Sequence, residues 1–128
     1  MYKLSKRSLS RLKGVEPLLI AIAVESIKES PFDFGIPETG GFRTANQQNE
    51  LFKKKVSKVD GFIKKSYHQS GLAFDIYLLS DTENINKLSA VARHIQKTAY
   101  DLYKVKVQWG GDWKWVDAYH FQIEKSDL

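Results

Sequence analysis

Cysteine is absent from the 128-residue sequence, and its absence removes several kinds of chemistry at once. No disulfide can form, no thiolate can act as a nucleophile, and no zinc site can use cysteine ligands. Any bound metal ion must therefore be held by histidine and carboxylate side chains. The sequence offers only three histidines for this purpose, His68, His94 and His120.

A long hydrophobic run is also missing. The apolar run Leu18–Val24 spans seven residues, which is too short to cross a bilayer. Basic residues precede it, as in a signal peptide, but Pro17 opens the run, Glu25 closes it and no clean small-residue cleavage site follows. We therefore expect a buried helix here, with no signal peptide and no membrane insertion.

Acidic residues are outnumbered by basic ones, 15 against 20, which gives a net charge of +5. This excess favours an anionic partner such as nucleic acid, a phosphate-rich polymer or the cell wall, although simple solubility explains it equally well. The lysines are concentrated between Lys53 and Lys65, and no recognition helix or RNA-binding motif accompanies them, so we expect no nucleic acid partner. The plainest interpretation of that stretch is a solvated loop.

The remaining pattern predicts a single α+β domain over residues 1–128, in which helices flank a small antiparallel sheet. Apolar spacing and capping signals predict helices over 14–29, 44–55 and 84–103. Alternating or β-branched runs predict strands over 72–79, 105–109 and 119–123. A loop rich in proline and glycine, residues 31–41, connects the first two of these helices.

His68 and Asp75 can converge if the chain turns between them. In an unbroken strand they would point to opposite faces, because their separation is odd, but Gly71 can turn the chain and bring them together. Phe74 and Ile76 flank Asp75 and should face the core, which leaves the carboxylate on the other side.

The last predicted strand presents His120 and Gln122 on one face, while Tyr119, Phe121 and Ile123 share the other. Two imidazoles and the Asp75 carboxylate then supply three ligands for tetrahedral zinc, with one position left for water. The alternative is three unrelated polar residues, each satisfied locally. His94 sits within the long helix, and we interpret it as structural or exposed.

Three motifs in order resemble one family of bacterial cell-wall enzymes. The family is that of the zinc D-Ala-D-Ala carboxypeptidases and L-alanyl-D-glutamate endopeptidases, and the stretch SYHQSGLAFDI from Ser66 resembles its Ser-x-His-x-x-Gly-x-Ala-x-Asp motif. The stretch DAYHFQI from Asp117 resembles the second motif of the family. The stretch GGFRTANQQNELF from Gly40 resembles its Gly-aromatic-Arg segment. The segments DFGIPETGGFRT and WGGDW are similar to phage endolysin-type members. The resemblance implies the fold shared with the Hedgehog signalling domain.

The resemblance implies a role for each matching residue. His68, Asp75 and His120 correspond to the zinc ligands, Asp117 to the general base, and Arg43 to the cation that polarises the scissile carbonyl. Ser66 and Gln48 correspond to residues near the substrate. Trp109 and Trp113 are further candidates for the groove, although aromatic residues at this density are more often core.

The implied function is a zinc metallopeptidase that hydrolyses peptidoglycan stem peptides, at the L-Ala–D-Glu bond, in the manner of an endolysin. The alternatives are a D-Ala-D-Ala carboxypeptidase or dipeptidase, and a catalytically silent cell-wall-binding module on the same fold. We expect a monomer made in the bacterial cytoplasm from a phage or prophage gene, acting at the cell wall. Adsorption to anionic wall polymer would suit the lysine-rich stretch.

Overall fold

The computed structural model describes residues 1–128, and its helices and strands follow the order expected of an α+β protein. The helices are α1 (Lys6–Arg11), α2 (Pro17–Lys28), α3 (Ala45–Lys53) and α4 (Ile85–Tyr103). The strands are β1 (Phe34–Gly35), β2 (Ala73–Asp75), β3 (Tyr77–Leu78), β4 (Gln108–Trp109) and β5 (His120–Gln122). Short 3₁₀ turns occupy Tyr67–Ser70, Gly110–Asp112 and Lys125–Asp127.

Helices α2 and α4 pack against each other and supply much of the core. Proline at the first position of α2 needs no hydrogen-bond partner there, which favours the helix start. The buried positions of the two helices recur at helical spacing; they are Leu19, Ile22, Ala23, Ile27, Leu88, Val91, Ala92, Ile95 and Ala99. His94 donates from Nε2 to the Ser26 carbonyl at 2.8 Å and ties α4 to α2, which confirms a structural role. None of the helices has both the length and the apolar character needed to span a bilayer.

The strands are antiparallel, as the sequence predicts, but they form two small sheets and not one. Strand β5 lies between β2 and β4, and the register places Asp75 directly opposite His120. Strands β1 and β3 form the second sheet. The strand predicted over 72–79 is therefore divided at Ile76, whose amide still donates to the Tyr119 carbonyl in the register of the β2–β5 pair before the chain pairs with β1. This division places β2 at the site and β3 in the other sheet.

Local patterns account for the helix α3 but not for α1. Thr44 and Gln47 form the predicted capping box at the start of α3. Helix α1 was not predicted, because its six residues are mostly polar and too few to show a period. It is fixed by contacts distant in sequence: the Ser8 hydroxyl accepts from the Ile36 amide at 3.0 Å, and Arg11 donates to the Ile36 carbonyl at 3.0 Å.

Two smaller expectations differ from the structure. The strand predicted over 105–109 is reduced to β4, and Tyr119 is exposed at 36% while Phe121 and Ile123 are fully buried. Tyr119 precedes β5 and donates its hydroxyl to the Thr82 carbonyl at 3.2 Å, so it covers the edge of the sheet and does not enter the core.

Candidate active site

Two imidazoles and one carboxylate meet on the face of the β2–β5–β4 sheet that is turned away from the core. One donor atom from each of His68, Asp75 and His120 lies within 4.8 Å of the other two. The Nε2 atom of His68 and the Nδ1 atom of His120 each lie 3.2 Å from Asp75 Oδ1, and the two nitrogens are 3.2 Å apart. The predicted convergence of these three side chains is present.

The 3₁₀ turn Tyr67–Ser70 delivers His68 to this cluster. Ser66 caps the turn with its hydroxyl, and Gln69 completes a capping box, so a short and weak element is fixed at its start. The chain then reverses at Gly71, whose φ of 71° is the left-handed conformation that glycine adopts without strain. The predicted turn at Gly71 is confirmed, and it brings His68 and Asp75 to the same side.

Each imidazole is oriented by a hydrogen bond from its outward nitrogen. His68 Nδ1 lies 2.8 Å from the Gly41 carbonyl oxygen, and His120 Nε2 lies 2.8 Å from Gln122 Oε1. A carbonyl oxygen can only accept, so both outward nitrogens carry a proton; in the neutral form of the imidazoles, which is the form that binds a metal, both inward nitrogens then present lone pairs. Fixing the outward nitrogen in this way is the usual means of orienting a metal-binding histidine.

The cluster fits a metal ion on the chemistry of its donors. With both imidazoles neutral, three atoms with lone pairs, one of them on a carboxylate, face each other at 3.2 Å, an arrangement that a proton or a metal cation among them relieves. A tetrahedral zinc ion with ligands at ~2.0 Å would separate neighbouring donor atoms by about 3.3 Å. The spacing of the three atoms therefore suits zinc without rearrangement.

The second oxygen of Asp75 is held by Arg43. The guanidinium donates to Asp75 Oδ2 at 2.9 Å, to Gln48 Oε1 at 3.0 Å and to the Thr39 carbonyl at 2.7 Å. Burial alone would raise the pKa of Asp75, but the charges and hydrogen bonds of the two imidazoles hold it well below its usual range. Asp75 is therefore an anion at neutral pH with a fixed orientation.

Gln48 is placed differently from the sequence expectation. Its side chain is fully buried behind Arg43, where Nε2 donates to the Ser57 hydroxyl at 2.9 Å and to the Val59 carbonyl at 2.8 Å. All of its polar atoms are engaged by the protein, and it does not line the cleft. The structure thus replaces the expected contact near the substrate with a supporting contact to Arg43.

Asp117 lies at the mouth of the cluster on the loop between β4 and β5. The Gly110 carbonyl accepts from the Asp117 amide at 2.9 Å and from the Trp113 amide at 3.2 Å, which closes this loop. The carboxylate has no ion-pair partner in the chain. Its partial burial, together with the charge of Asp75, raises its pKa above the ordinary value.

The cluster lies in a cleft of about 710 Å³. Its lining includes Arg43, Ser66, Tyr67, Trp113 and Asp117 as well as the three cluster residues. Ser66 and Trp113 are thus placed where the sequence analysis expected them. Trp109 is not: it is 4% exposed, it packs in the core, and its indole N–H donates to the Ala118 carbonyl at 2.7 Å.

Two supporting contacts escaped the sequence analysis as functional features. The sequence analysis placed Gln122 on the same strand face as His120 but gave it no role. The spacing of two residues along a strand was the signal that its side chain could contact and orient the imidazole. The Gly41 carbonyl gave no such signal, because its contact with His68 spans 27 residues. A Cβ at Gly41 would overlap the Arg11 carbonyl, so only glycine lets α1 press the loop against the site.

The fold, with its small antiparallel sheets, its flanking helices and a cleft on one face, is the DD-peptidase and LD-carboxypeptidase fold. The chain is similar to the crystal structure of the Serratia marcescens L-Ala D-Glu endopeptidase ChiX, with a TM-score of 0.83 and 25% identity over 98% of this chain and 92% of that one. It shares its fold with the LD-carboxypeptidase LdcB at a TM-score of 0.56 and 23% identity, over 92% of this chain and 70% of that one.

The sequence comparison is more specific. Residues 1–128 match the family model of the phage L-alanyl-D-glutamate peptidase, and the chain belongs to that family. This confirms the resemblance on which the functional expectation was based. No curated protein sequence matches the chain.

Proposed function

We propose that the protein is a zinc-dependent endopeptidase that hydrolyses the L-Ala–D-Glu bond of peptidoglycan stem peptides. The observation that carries the zinc assignment is the convergence of three lone-pair donors from His68, Asp75 and His120 at 3.2 Å spacing. Membership of the phage L-alanyl-D-glutamate peptidase family, and similarity to an endopeptidase named for the same bond, support the substrate. We further propose a single peptidase domain that acts as a monomer.

The proposed chemistry uses the metal ion and two side chains, Asp117 and Arg43. A bound zinc ion supplies Lewis acidity and lowers the pKa of water to ~7. Asp117 lies beside the cluster without an ion-pair partner, so its carboxylate is free to take a proton from the attacking water and deliver it to the leaving amine of D-Glu.

Arg43 is assigned to positioning Asp75. Three of its five N–H groups have acceptors in the protein, so it fixes the carboxylate that faces both imidazoles. Its remaining N–H groups are available to a substrate carbonyl, as the family resemblance implies. Ser66 and Trp113 line the same cleft and are proposed to contact the peptide.

Bond mapping on intact peptidoglycan tests this function. Sacculi are digested with the zinc-loaded protein and with a chelator-treated sample, and newly exposed amino groups are labelled and identified by mass spectrometry. New amino-terminal D-Glu that disappears with chelator supports the proposal. Release of free D-Ala without new D-Glu would move the assignment to a carboxypeptidase, and the absence of any product would favour a silent binding module.

Because the family is one of phage peptidases, we propose a phage or prophage gene and action at the cell wall.

A further inference from the structure

One wall of the cleft is built by the lysine-rich stretch. Lys58, Lys64 and Lys65 line the same cleft as the His68–Asp75–His120 cluster, whereas Lys53, Lys54 and Lys55 do not. All of these side chains are exposed. The stretch is therefore divided into lysines that face the site and lysines that face bulk solvent.

The segment is held in a defined shape and is more than a solvated loop. Gln48 binds Ser57 and Val59, and Asn49 Nδ2 donates to the Asp60 carbonyl at 2.9 Å. Gln69 Nε2 donates to the Gly61 carbonyl at 2.9 Å, which ties the segment to the turn that carries His68. These contacts present Lys64 and Lys65 at a fixed place immediately before Ser66.

The positive charge of this wall is not neutralised within the chain. Asp60 is the only acidic residue between Lys53 and Lys65, and its carboxylate accepts the backbone amides of Ile63 and Lys64 at 3.2 and 2.8 Å. Lys58, Lys64 and Lys65 form no ion pair; the lysines that do are Lys28, Lys53, Lys87 and Lys97. Lys58 lies 4.1 Å from the centroid of the Trp115 ring, a contact that leaves its charge intact.

Two exposed lysines that line a cleft raise the local concentration of an anionic ligand there. The proposed substrate has an anionic group next to the scissile bond. A D-glutamyl residue joined to L-Ala through its amino group has two carboxyl groups, and the stem peptide continues from only one of them. The other is ionised at neutral pH.

We propose that Lys64 and Lys65 form a subsite for the free carboxylate of this D-glutamyl residue. The inference rests on the proposed function and adds a determinant of specificity to it. A charge-assisted contact of this kind orients the leaving side of the peptide, and a substrate whose carboxylate is converted to a carboxamide loses it.

The test uses two soluble stem peptides that differ only in this group, a carboxylate in one and a carboxamide in the other. We compare the wild type with Lys64→Gln/Lys65→Gln and with the control Lys54→Gln/Lys55→Gln. Each double variant lowers the net charge of +5 by two, so the long-range field changes equally and only the position differs. Thermal melts verify that both variants fold like the wild type.

We expect the wild type to prefer the carboxylate peptide. The Lys64→Gln/Lys65→Gln variant should lose about 10- to 100-fold in kcat/KM on that peptide, mainly through KM, and little on the carboxamide. The control should change neither value appreciably.

Digestion of intact sacculi by the same variants is measured in parallel. An equal loss on both peptides or an equal loss in the control would overturn the subsite. So would a loss seen only on sacculi, which would indicate adsorption to wall polymer. A wild type that cuts both peptides equally also counts against the subsite alone. A zinc-loaded wild type that cuts neither peptide counts against the proposed function.

Discussion

Asp75 illustrates how much one side chain does in this site. Its Oδ1 atom faces both imidazoles and its Oδ2 atom accepts from Arg43, so the two oxygens have separate partners. A buried anion held in this way makes the binding of a cation at the cluster more favourable, because without a cation the charge of the anion is poorly compensated. The residue thus connects the metal-binding side chains to the Arg43–Gln48 pair behind them.

The assignment of Asp117 as a base, and not as a ligand, predicts a separation between metal binding and turnover. Asp117→Asn should keep the fold and bind zinc like the wild type, because the three donors are untouched. Turnover should fall by roughly 10²- to 10⁴-fold, the usual contribution of a general base. Metal analysis and peptide hydrolysis measure the two properties, and loss of zinc from the variant would contradict the assignment.

The same assignment predicts an acid limb in the pH profile. A base acts when deprotonated, so activity should be present above the pKa of Asp117 in the zinc-loaded enzyme and lost as the pH falls through that pKa. Protons also compete with zinc for the imidazoles, and this competition lowers activity in acid as well. Measuring kcat/KM and bound zinc at each pH separates the two causes. A profile that stays flat into acid would exclude both.

Gln122 should affect metal binding without touching the metal. It accepts from His120 Nε2 at 2.8 Å and donates to Gln108 Oε1 at 3.2 Å, which fixes the imidazole from behind. Gln122→Ala should weaken zinc affinity about 10- to 100-fold, the usual effect of losing such an orienting contact. Competition with a chromogenic chelator measures this. Gln108→Ala is the matched control. It should have a smaller effect, since it removes only the hydrogen-bond partner of Gln122 and leaves the contact between Gln122 and His120 in place.

At the scale of elements, the site depends on loops pressed against it by helices. The loop before α3 contributes three successive contacts: the Thr39 carbonyl binds Arg43, the Gly40 carbonyl binds the Asp75 amide at 2.8 Å, and the Gly41 carbonyl binds His68. Helix α1 lies against this loop through Arg11. The N-terminal helix therefore supports the metal-binding residues although it lies outside the cleft.

Gly41→Ala tests this support. The added methyl group would overlap the Arg11 carbonyl, so either α1 or the loop must move. We expect a loss of stability of about 1–3 kcal/mol, as in other overpacked sites, together with weaker zinc binding because the acceptor of His68 shifts. Chemical denaturation and zinc competition provide the two values. Unchanged stability together with unchanged zinc affinity would show that α1 does not constrain the site.

The elements that the sequence predicted are those specified by local chemistry. Thr44 and Gln47 start α3, Pro17 starts α2, and the alternation around Asp75 and His120 places both on one face. The features that it did not predict depend on distant contacts. The division of the strand predicted over 72–79 depends on the pairing of Tyr77–Leu78 with β1, and the inward direction of Gln48 requires the Lys53–Lys65 segment to fold over it.

At the scale of the whole molecule, the core is large enough that we expect the fold to form without the metal. A hydrophobic core of 22 buried residues extends through α2, α4 and the strands, and the His68–Asp75–His120 cluster lies beside it on the opposite face of one sheet. Metal binding therefore adds stability by mass action and is not needed to form the core. The net charge of +5 and the lysine wall of the cleft both favour an anionic wall substrate.

The central claim is that one zinc ion, held by His68, Asp75 and His120, makes this fold a peptidase. The most direct test is a titration of the metal-free protein with zinc, with cleavage of a soluble L-Ala–D-Glu stem peptide as the readout and circular dichroism to verify that the fold is present throughout. We predict that activity rises linearly and stops rising at one zinc per chain, and that His120→Ala stays inactive over the same range. Full activity in the metal-free protein, or an activity that rises equally in His120→Ala, would contradict the account.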